Sequence, residues 1–246
     1  MKINLKEVNK RIANLKSELA SLEEVVKKSK ERAPREIPYD VDELVERINN
    51  NTLDEELIVG DYLDIELYTG EEIRLIVIGV NHDKMECGAM ADYTFRVLFV
   101  DMRYKMNDTN TNKTSWIGCK MRNTYLPRIM KLLPKCLQES IVPVKKLTSA
   151  GDCNKKIVET TDKLFCFSEI EIYGKNALSY SGEGKQYPYF TEEDHRNIPN
   201  YPWLRSPHYN LSGNFCCVGY GGHVSSNDAG GSYGVAFGFC LSSNNH

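Results

Sequence analysis

The stretch HYNLSGNFCCVGYGGHVSSNDAGGSYGVAFGFCL, residues 208–241, carries a skeleton of Phe215, Val218, Val224, Val235, Phe237, Phe239 and Leu241 set among small and polar residues. Apolar side chains alternating with small ones predict short strands at Phe215–Val218 and His223–Ser226, and a buried closing strand at Gly234–Leu241. Gly219-Tyr220-Gly221-Gly222 suits a hairpin turn that needs positive φ. From His208 to His246 there is no Lys, Arg, Glu, Gln, Trp or Met, and Asp228 is the only charge, in a chain that is 26% charged overall. Small adaptable polar residues with Tyr and His on a hydrophobic frame are the chemistry of a recognition surface. The plainer reading is a Gly/Ser-rich β-meander.

Working back from this segment, Gly174 to Tyr201 is long, irregular and rich in Gly, Pro and Tyr. Such a loop is functional or is pinned by its own aromatics. Lys163–Tyr173 is apolar and fits a strand or a helix. Ile141–Leu147 and Ile157–Thr161 read as short extended pieces around a loop at Thr148–Asn154. Met121–Leu137 has the apolar spacing of a helix that Pro134 bends or ends. Asn107–Ser115 (NDTNTNKTS) is a loop. Leu57–Val59 leads into a Gly60-Asp61 turn, and Tyr62–Leu67 alternates. Glu72–Val80 and Thr94–Met102 are strong strand candidates. Pro38–Thr52 reads as a connector (34–56) with a short helical pattern.

Residues 2–33 predict one helix ended by Pro34. Leu5, Val8, Ile12, Leu15, Leu19, Leu22 and Val26 recur at spacings of three and four, a heptad seam. With Leu5 at a, neither core position has the Ile-at-a, Leu-at-d pattern of parallel dimers. A homo-oligomer is therefore expected, with a trimer favoured. Against it, parallel pairing would place Arg11 by Lys16 and Glu18 by Glu23, and the alternative is an amphipathic helix packed on its own domain. The fold class is α+β: a coiled-coil helix at 1–33, the connector, and one ligand-binding domain at 57–246.

At 246 residues the chain is long enough for one sizeable core. A formal charge of −3 and a pI near 6.0 argue against nucleic-acid binding. The pairs Lys27–Lys28, Lys145–Lys146 and Lys155–Lys156 read as solvated surface. No apolar run reaches membrane-spanning length, so no membrane insertion is expected. The charged N-terminus is unlike a secretory signal. The eight cysteines form no CxxC pair. Free thiols are expected, with Cys166 and Cys240 buried and the vicinal Cys216 and Cys217 on opposite faces, one packed and one exposed. No metal and no cofactor is expected. Glu192-Glu193-Asp194-His195 reads as a helix start or solvated surface, and Gly182-Glu183-Gly184-Lys185 as a turn, since it lacks the context of a phosphate loop.

The stretches TNKTSWIGCKMRNTYL, VKKLTSAG, ETTDKLFCFSEIEIYG, GEGKQYPYF and PWLRSPHYN…GVAFGFCL, within about residues 107–241, resemble an uncharacterised domain family of tail and prophage proteins from Gram-positive gut bacteria. The resemblance implies a C-type-lectin-like fold, as elaborated in formylglycine-generating-enzyme-like proteins. It also implies a phage or prophage tail setting, with the protein found in the virion. Some members are variable proteins of diversity-generating retroelements, in which Asn codons are randomised at adenines. Such codons cannot become Lys, Glu, Gln, Trp or Met by changes at the first two bases, and these are types missing after Pro207.

The ligand-facing candidates are His208, Tyr209, Asn210, Ser212, Gly213, Asn214, Gly219, Tyr220, Gly221, His223, Ser225, Ser226, Asn227, Asp228, Gly230, Gly231 and Ser232. Tyr209, Tyr220 and Tyr233 would supply rigid contact area. Trp203, Arg205 and Pro207 read as structural, with Arg205 making buried hydrogen bonds or an ion pair that fixes the loop base. The expected function is receptor binding, to a host-cell surface protein or glycan. The alternatives are an enzyme on the same fold using Cys216, Cys217 or Cys240, and a purely structural tail component.

Overall fold

The computed structural model describes residues 11–12, 14–20, 22 and 32–243. Two compact units divide the chain, Met1–Arg35 and Glu36–His246. In the first, the described residues 11–12, 14–20 and 22 are helical. Ile12, Leu15, Leu19 and Leu22 of the predicted seam are exposed. Leu5, Val8 and Val26 lie outside the described residues.

The second unit is a mixed α/β structure with antiparallel sheets. Its main sheet has the order β1-β2-β3-β10-β6, formed by Tyr62–Glu66 (β1), Glu72–Val80 (β2), Tyr93–Tyr104 (β3), Phe165–Cys166 (β6) and Tyr233–Leu241 (β10). β10 pairs with β3 from Tyr233↔Tyr104 to Leu241↔Tyr93 and with β6 at Phe237↔Cys166. Its position between two strands explains why it is an apolar run rather than an alternating one. Phe95 stacks on Phe239 with ring centroids 5.4 Å apart, and Phe99 meets Phe237 at 5.7 Å. Gly238 is required by crowding: a Cβ there would lie 2.6 Å from the Phe165 ring.

The short helical pattern expected within the connector is the helix α1 (Val41–Asn50), capped by the Asp40 side chain on Glu43 N. Leu44, Val45 and Ile48 bury its inner face in the core of the second unit. The helix expected at Met121–Leu137 is broken into pieces. After α2 (Ser115–Gly118) come a π-turn at Met121–Tyr125, then α3 (Leu126–Met130) and α4 (Lys135–Ser140). Pro127 has no N–H to give Asn123, and the Leu126 N–H reaches back to Met121 O, five residues away. Pro134 stands before α4.

Val144–Gly151 (β4) and Asn154–Asp162 (β5) form a two-stranded hairpin. The expected loop at Thr148–Asn154 shrinks to Asp152 and Cys153, whose φ values of 49° and 58° match a type I′ turn. Lys163–Tyr173 resolves into both candidates, β6 and then α5 (Glu169–Tyr173). α5 begins with a capping box in which Ser168 and Glu171 bond each other's backbone N–H. The third sheet is β7-β8-β9: Trp203–Pro207, Asn214–Val218 and Val224–Asp228. Among the described residues no helix is long and apolar enough to cross a membrane.

Candidate functional site

The predicted surface is built on the β8–β9 hairpin. Phe215, Cys216, Cys217 and Val218 are all fully buried, while β9 lies at the sheet edge with half-buried Val224, Ser225, Ser226 and Asn227. Val224, expected in the frame, is thus only partly covered. Cys216 and Cys217 are both packed, because β8 is the central strand of its sheet and is covered on both faces. Burial pushes the thiols of Cys216, Cys217 and Cys240 up.

The hairpin separates the candidates into two groups. At one end, Asn214 pairs with Asp228, and at the other Val218 pairs with Val224. The two ends are four residue steps apart along the strand, about 13 Å. Asn214, Asn227, Asp228, Gly230 and Gly231 line an open hollow of about 440 Å³ together with Asn110 and Tyr233. Asn110 fixes one wall: its Nδ2 donates to Asp228 Oδ2 at 3.2 Å and its Oδ1 accepts from Gly230 N at 3.1 Å. The 208–213 turn adjoins this end, with Tyr209, Asn210 and Ser212 exposed and Gly213 half-buried. At the far end Tyr220 is 86% exposed, beside exposed Gly221 and His223. Gly221 and Gly222 supply φ of 64° and 79°, as the turn demands. A Cβ at Gly222 would lie 2.9 Å from the Arg196 backbone, so the tip rests on the 193–197 segment.

Two candidates do not face outward. His208 is buried and stacks on the Tyr209 ring at 5.2 Å, because its backbone belongs to the base of the turn and donates to Asn214 O. Burial pulls its imidazole pKa down and Glu169 pulls it back in part. Gly219 is buried as well, since a Cβ there would lie 2.9 Å from Ser225 Cβ. Ser232 is exposed.

The clip that holds the 208–214 turn comes from the Asn107–Ser115 loop. Asn112 is fully buried; its Nδ2 donates to Leu211 O at 3.0 Å and Asn214 O at 2.8 Å, and its Oδ1 accepts from Asp152 N at 2.8 Å. The Tyr180 hydroxyl donates to Tyr209 O at 3.0 Å. Neither Asn110 nor Asn112 stood out in the sequence. The one signal was the Asn/Thr-rich composition of their loop, and the partners lie about a hundred residues further on.

Beneath this surface lies a buried ionic network. Arg205 donates to both Glu171 oxygens, and also to Cys166 O at 2.9 Å and Thr148 Oγ1 at 3.1 Å. This matches its expected role at the loop base. Trp203 is also fully buried and donates from Nε1 to Tyr104 O at 2.9 Å. Lys146, expected at the surface, is 1% exposed. The alternation of β4 turns it inward, where it pairs with Asp83, Glu171 and the Tyr187 hydroxyl. Asp83 also accepts from Thr94 Oγ1 and from the Tyr187 hydroxyl. Glu183, in the expected turn, is buried and accepts from Ser149 N at 2.8 Å and from the Ser206 hydroxyl. Glu169 accepts from the backbone N–H groups of Ala177, Leu178 and Ser179 and so ties down the start of the 174–201 loop. Tyr187 and Phe190 pin the rest of that loop in the core. Glu193–Arg196 is a short 3-10 helix, in keeping with the helix-start reading of that acidic run. Among the described residues no group of His, Cys, Asp and Glu could hold a metal.

The profile of a family described as a domain of unknown function, DUF6273, matches residues 90–243, and the chain belongs to that family. The match runs from the start of β3 past the end of β10 and so includes the whole β8–β9 surface. Comparison with curated proteins and with solved structures gave no match.

Proposed function

We propose that the chain is a ligand-binding protein whose recognition surface is the β8–β9 hairpin with the 208–213 turn. The observation that carries this reading is a division between frame and surface. The backbone of the segment is fixed by buried Phe215–Val218, by Asn112 and by the Arg205 network. Tyr209, Asn210, Ser212, Tyr220 and His223 meanwhile project from it without a Lys, Arg or Glu among them. Fixed backbone with small polar and aromatic side chains outside is what an adaptable contact surface requires. The position of the two groups at opposite ends of a hairpin suits an extended partner surface better than a single small molecule.

The resemblance of residues 107–241 extends the proposal. The second unit is taken as a C-type-lectin-like head, the protein as an adhesin-type component of a phage or prophage tail, and residues 208–233 as its diversified segment. The ligand is then a host-cell surface protein or glycan. The exposed Ile12, Leu15, Leu19 and Leu22 support self-association through the N-terminal helix, which would repeat the head and raise avidity. The purified chain should bind a bacterial envelope preparation saturably, and Tyr220→Ala with His223→Ala should weaken that binding. For diversification, the coding DNA should be accompanied by a near-copy of its 3′ segment differing at adenines, beside a reverse transcriptase.

A further inference from the structure

We propose that the cleft between the π-turn, α3 and the β5–β6 connection binds a small organic anion with an apolar body: a carboxylate on an aryl or short acyl group. The cleft is open to solvent on one side and has a volume of about 510 Å³, within the roughly 300–1,000 Å³ range of small-ligand sites. Its floor is apolar, made by the buried side chains of Leu126 and Leu164 with half-buried Met130. Its rim is cationic, with Arg122, Lys131 and Lys163.

The charges on that rim do not cancel. Asp162, the one acid lining the cleft, accepts from Arg122 Nε at 2.6 Å, Trp116 Nε1 at 3.0 Å and Thr160 Oγ1 at 2.6 Å. Its charge is spent on Arg122, which is itself held in place by Ile117 O and Thr161 O. Lys131 and Lys163 are exposed and make no ion pair among the described residues. Two unpaired ammonium groups over an apolar floor therefore remain, on a chain whose formal net charge is −3. This arrangement repels cations, and a neutral ligand would leave both ammonium groups without an anionic partner. It favours an acid whose carboxylate meets the lysines and whose apolar part covers the floor.

The lip of the cleft is preformed. The π-turn is a rare local geometry, and such turns are frequent at functional sites. The Asn123 amide is consumed within it, donating to Ile117 O at 3.1 Å and Cys119 O at 3.0 Å. The turn thus sets Arg122 at the mouth of the cleft without waiting for a ligand.

The carboxylate could belong to a free acid or to the C-terminus of a peptide ending in an apolar residue. The test uses the full chain labelled at methionine methyls, with the Met130 resonance assigned through Met130→Leu. It is titrated with 4-phenylbutyrate, its neutral amide, an N-acetylated dipeptide ending in Phe, and that peptide's C-terminal amide. The Met130 methyl should shift saturably with phenylbutyrate and not with either amide. A parallel response to the acidic dipeptide would show that a peptide terminus also fits, and its absence would restrict the site to free acids. Lys131→Ala with Lys163→Ala should weaken binding by roughly tenfold or more, while Lys131→Arg with Lys163→Arg retains it. Both side chains are exposed, so neither pair should change the melting temperature. No saturable shift, equal shifts with acid and amide, or unchanged binding by the double alanine variant would overturn the proposal.

Discussion

Arg205 and Glu171 face each other in the core, with Nη1 to Oε2 at 2.5 Å and Nη2 to Oε1 at 2.8 Å, and neither is open to solvent. This fork joins β7, which leads directly into the recognition segment, to α5, whose own start Glu171 caps. Removing one partner leaves a buried charge uncompensated. Glu171→Gln or Arg205→Met should therefore cost about 3–5 kcal/mol in denaturant unfolding. Arg205→Lys should cost nearly as much, because an ammonium cannot reproduce the two parallel bonds or reach Cys166 O at the same time. A cost under about 1 kcal/mol would place the fork outside the folded core.

The same network sets the response to acid. Burial pushes the Glu171 carboxyl up, but Arg205 and Lys146 overcome it and hold it below its ordinary value. Asp83 behaves alike: burial raises it, and the Lys146 ammonium, with hydrogen bonds from Lys146 and Thr94, carries it well below the carboxylate range. Groups depressed in the folded state contribute stability that is complete above their unfolded pKa, near 4, and is lost as pH falls through the folded value. Glu183 has the opposite sign, because burial raises it, so it recovers some stability in acid. With two carboxylates against one, unfolding free energy should fall steadily below about pH 4. Glu171→Gln should flatten that fall. An unchanged acid limb in the variant would contradict the assignment.

Asn112 is the next test. Its side-chain hydrogen bonds join the 107–115 loop, the β4–β5 turn and the 208–214 turn. Asn112→Ala leaves buried backbone groups unpaired, at roughly 1–3 kcal/mol each when uncompensated. Hydrogen exchange should then speed up at residues 208–214 before it changes in β10. Exchange unchanged at 208–214 would show that the turn is held by something else.

How much of this could be read in the sequence depended on the reach of the interactions. Strands β2, β3, β8 and β10 were legible because alternation and β-branched runs are local signals. The role of Arg205 was legible because an arginine inside an otherwise apolar segment needs a partner. The β4–β5 hairpin was not: Asp152-Cys153 is an unusual pair for a turn with two positive φ values, and flanking Gly151 and Asn154 read as loop. Lys146 was missed because a Lys-Lys pair is ordinary at a surface and its partner Asp83 is 63 residues away. His208 and Gly219 were placed outward on composition, which cannot distinguish the base of a turn from its tip. The helix α1 was legible in the spacing of Val41, Leu44, Val45 and Ile48, but its packing into the core was not, because apolar side chains in a short polar segment do not show what they pack against.

Phe237 measures the frame on which the surface stands. It is fully buried between β3 and β6 and lies 5.7 Å from Phe99. Phe237→Ala should cost about 3–5 kcal/mol in chemical unfolding. A loss below about 1 kcal/mol would contradict the central place of β10.

Self-association is predicted from the N-terminal seam. Light scattering should give a homo-oligomer, with a trimer favoured, and deletion of residues 1–33 should yield a folded monomer. A monomeric full chain would remove avidity from the account.

The central claim is that fold and recognition reside in different side chains of one segment. Tyr209, Asn210, Tyr220 and His223 are exposed, and surface substitutions of this kind usually change stability by no more than about 0.5 kcal/mol each. The most direct measurement pairs thermal unfolding with host-surface binding for the variant carrying alanine at all four positions. Its melting temperature should stay close to that of the parent while binding is lost or redirected. A variant that unfolds, or one that binds as the parent does, would contradict the claim.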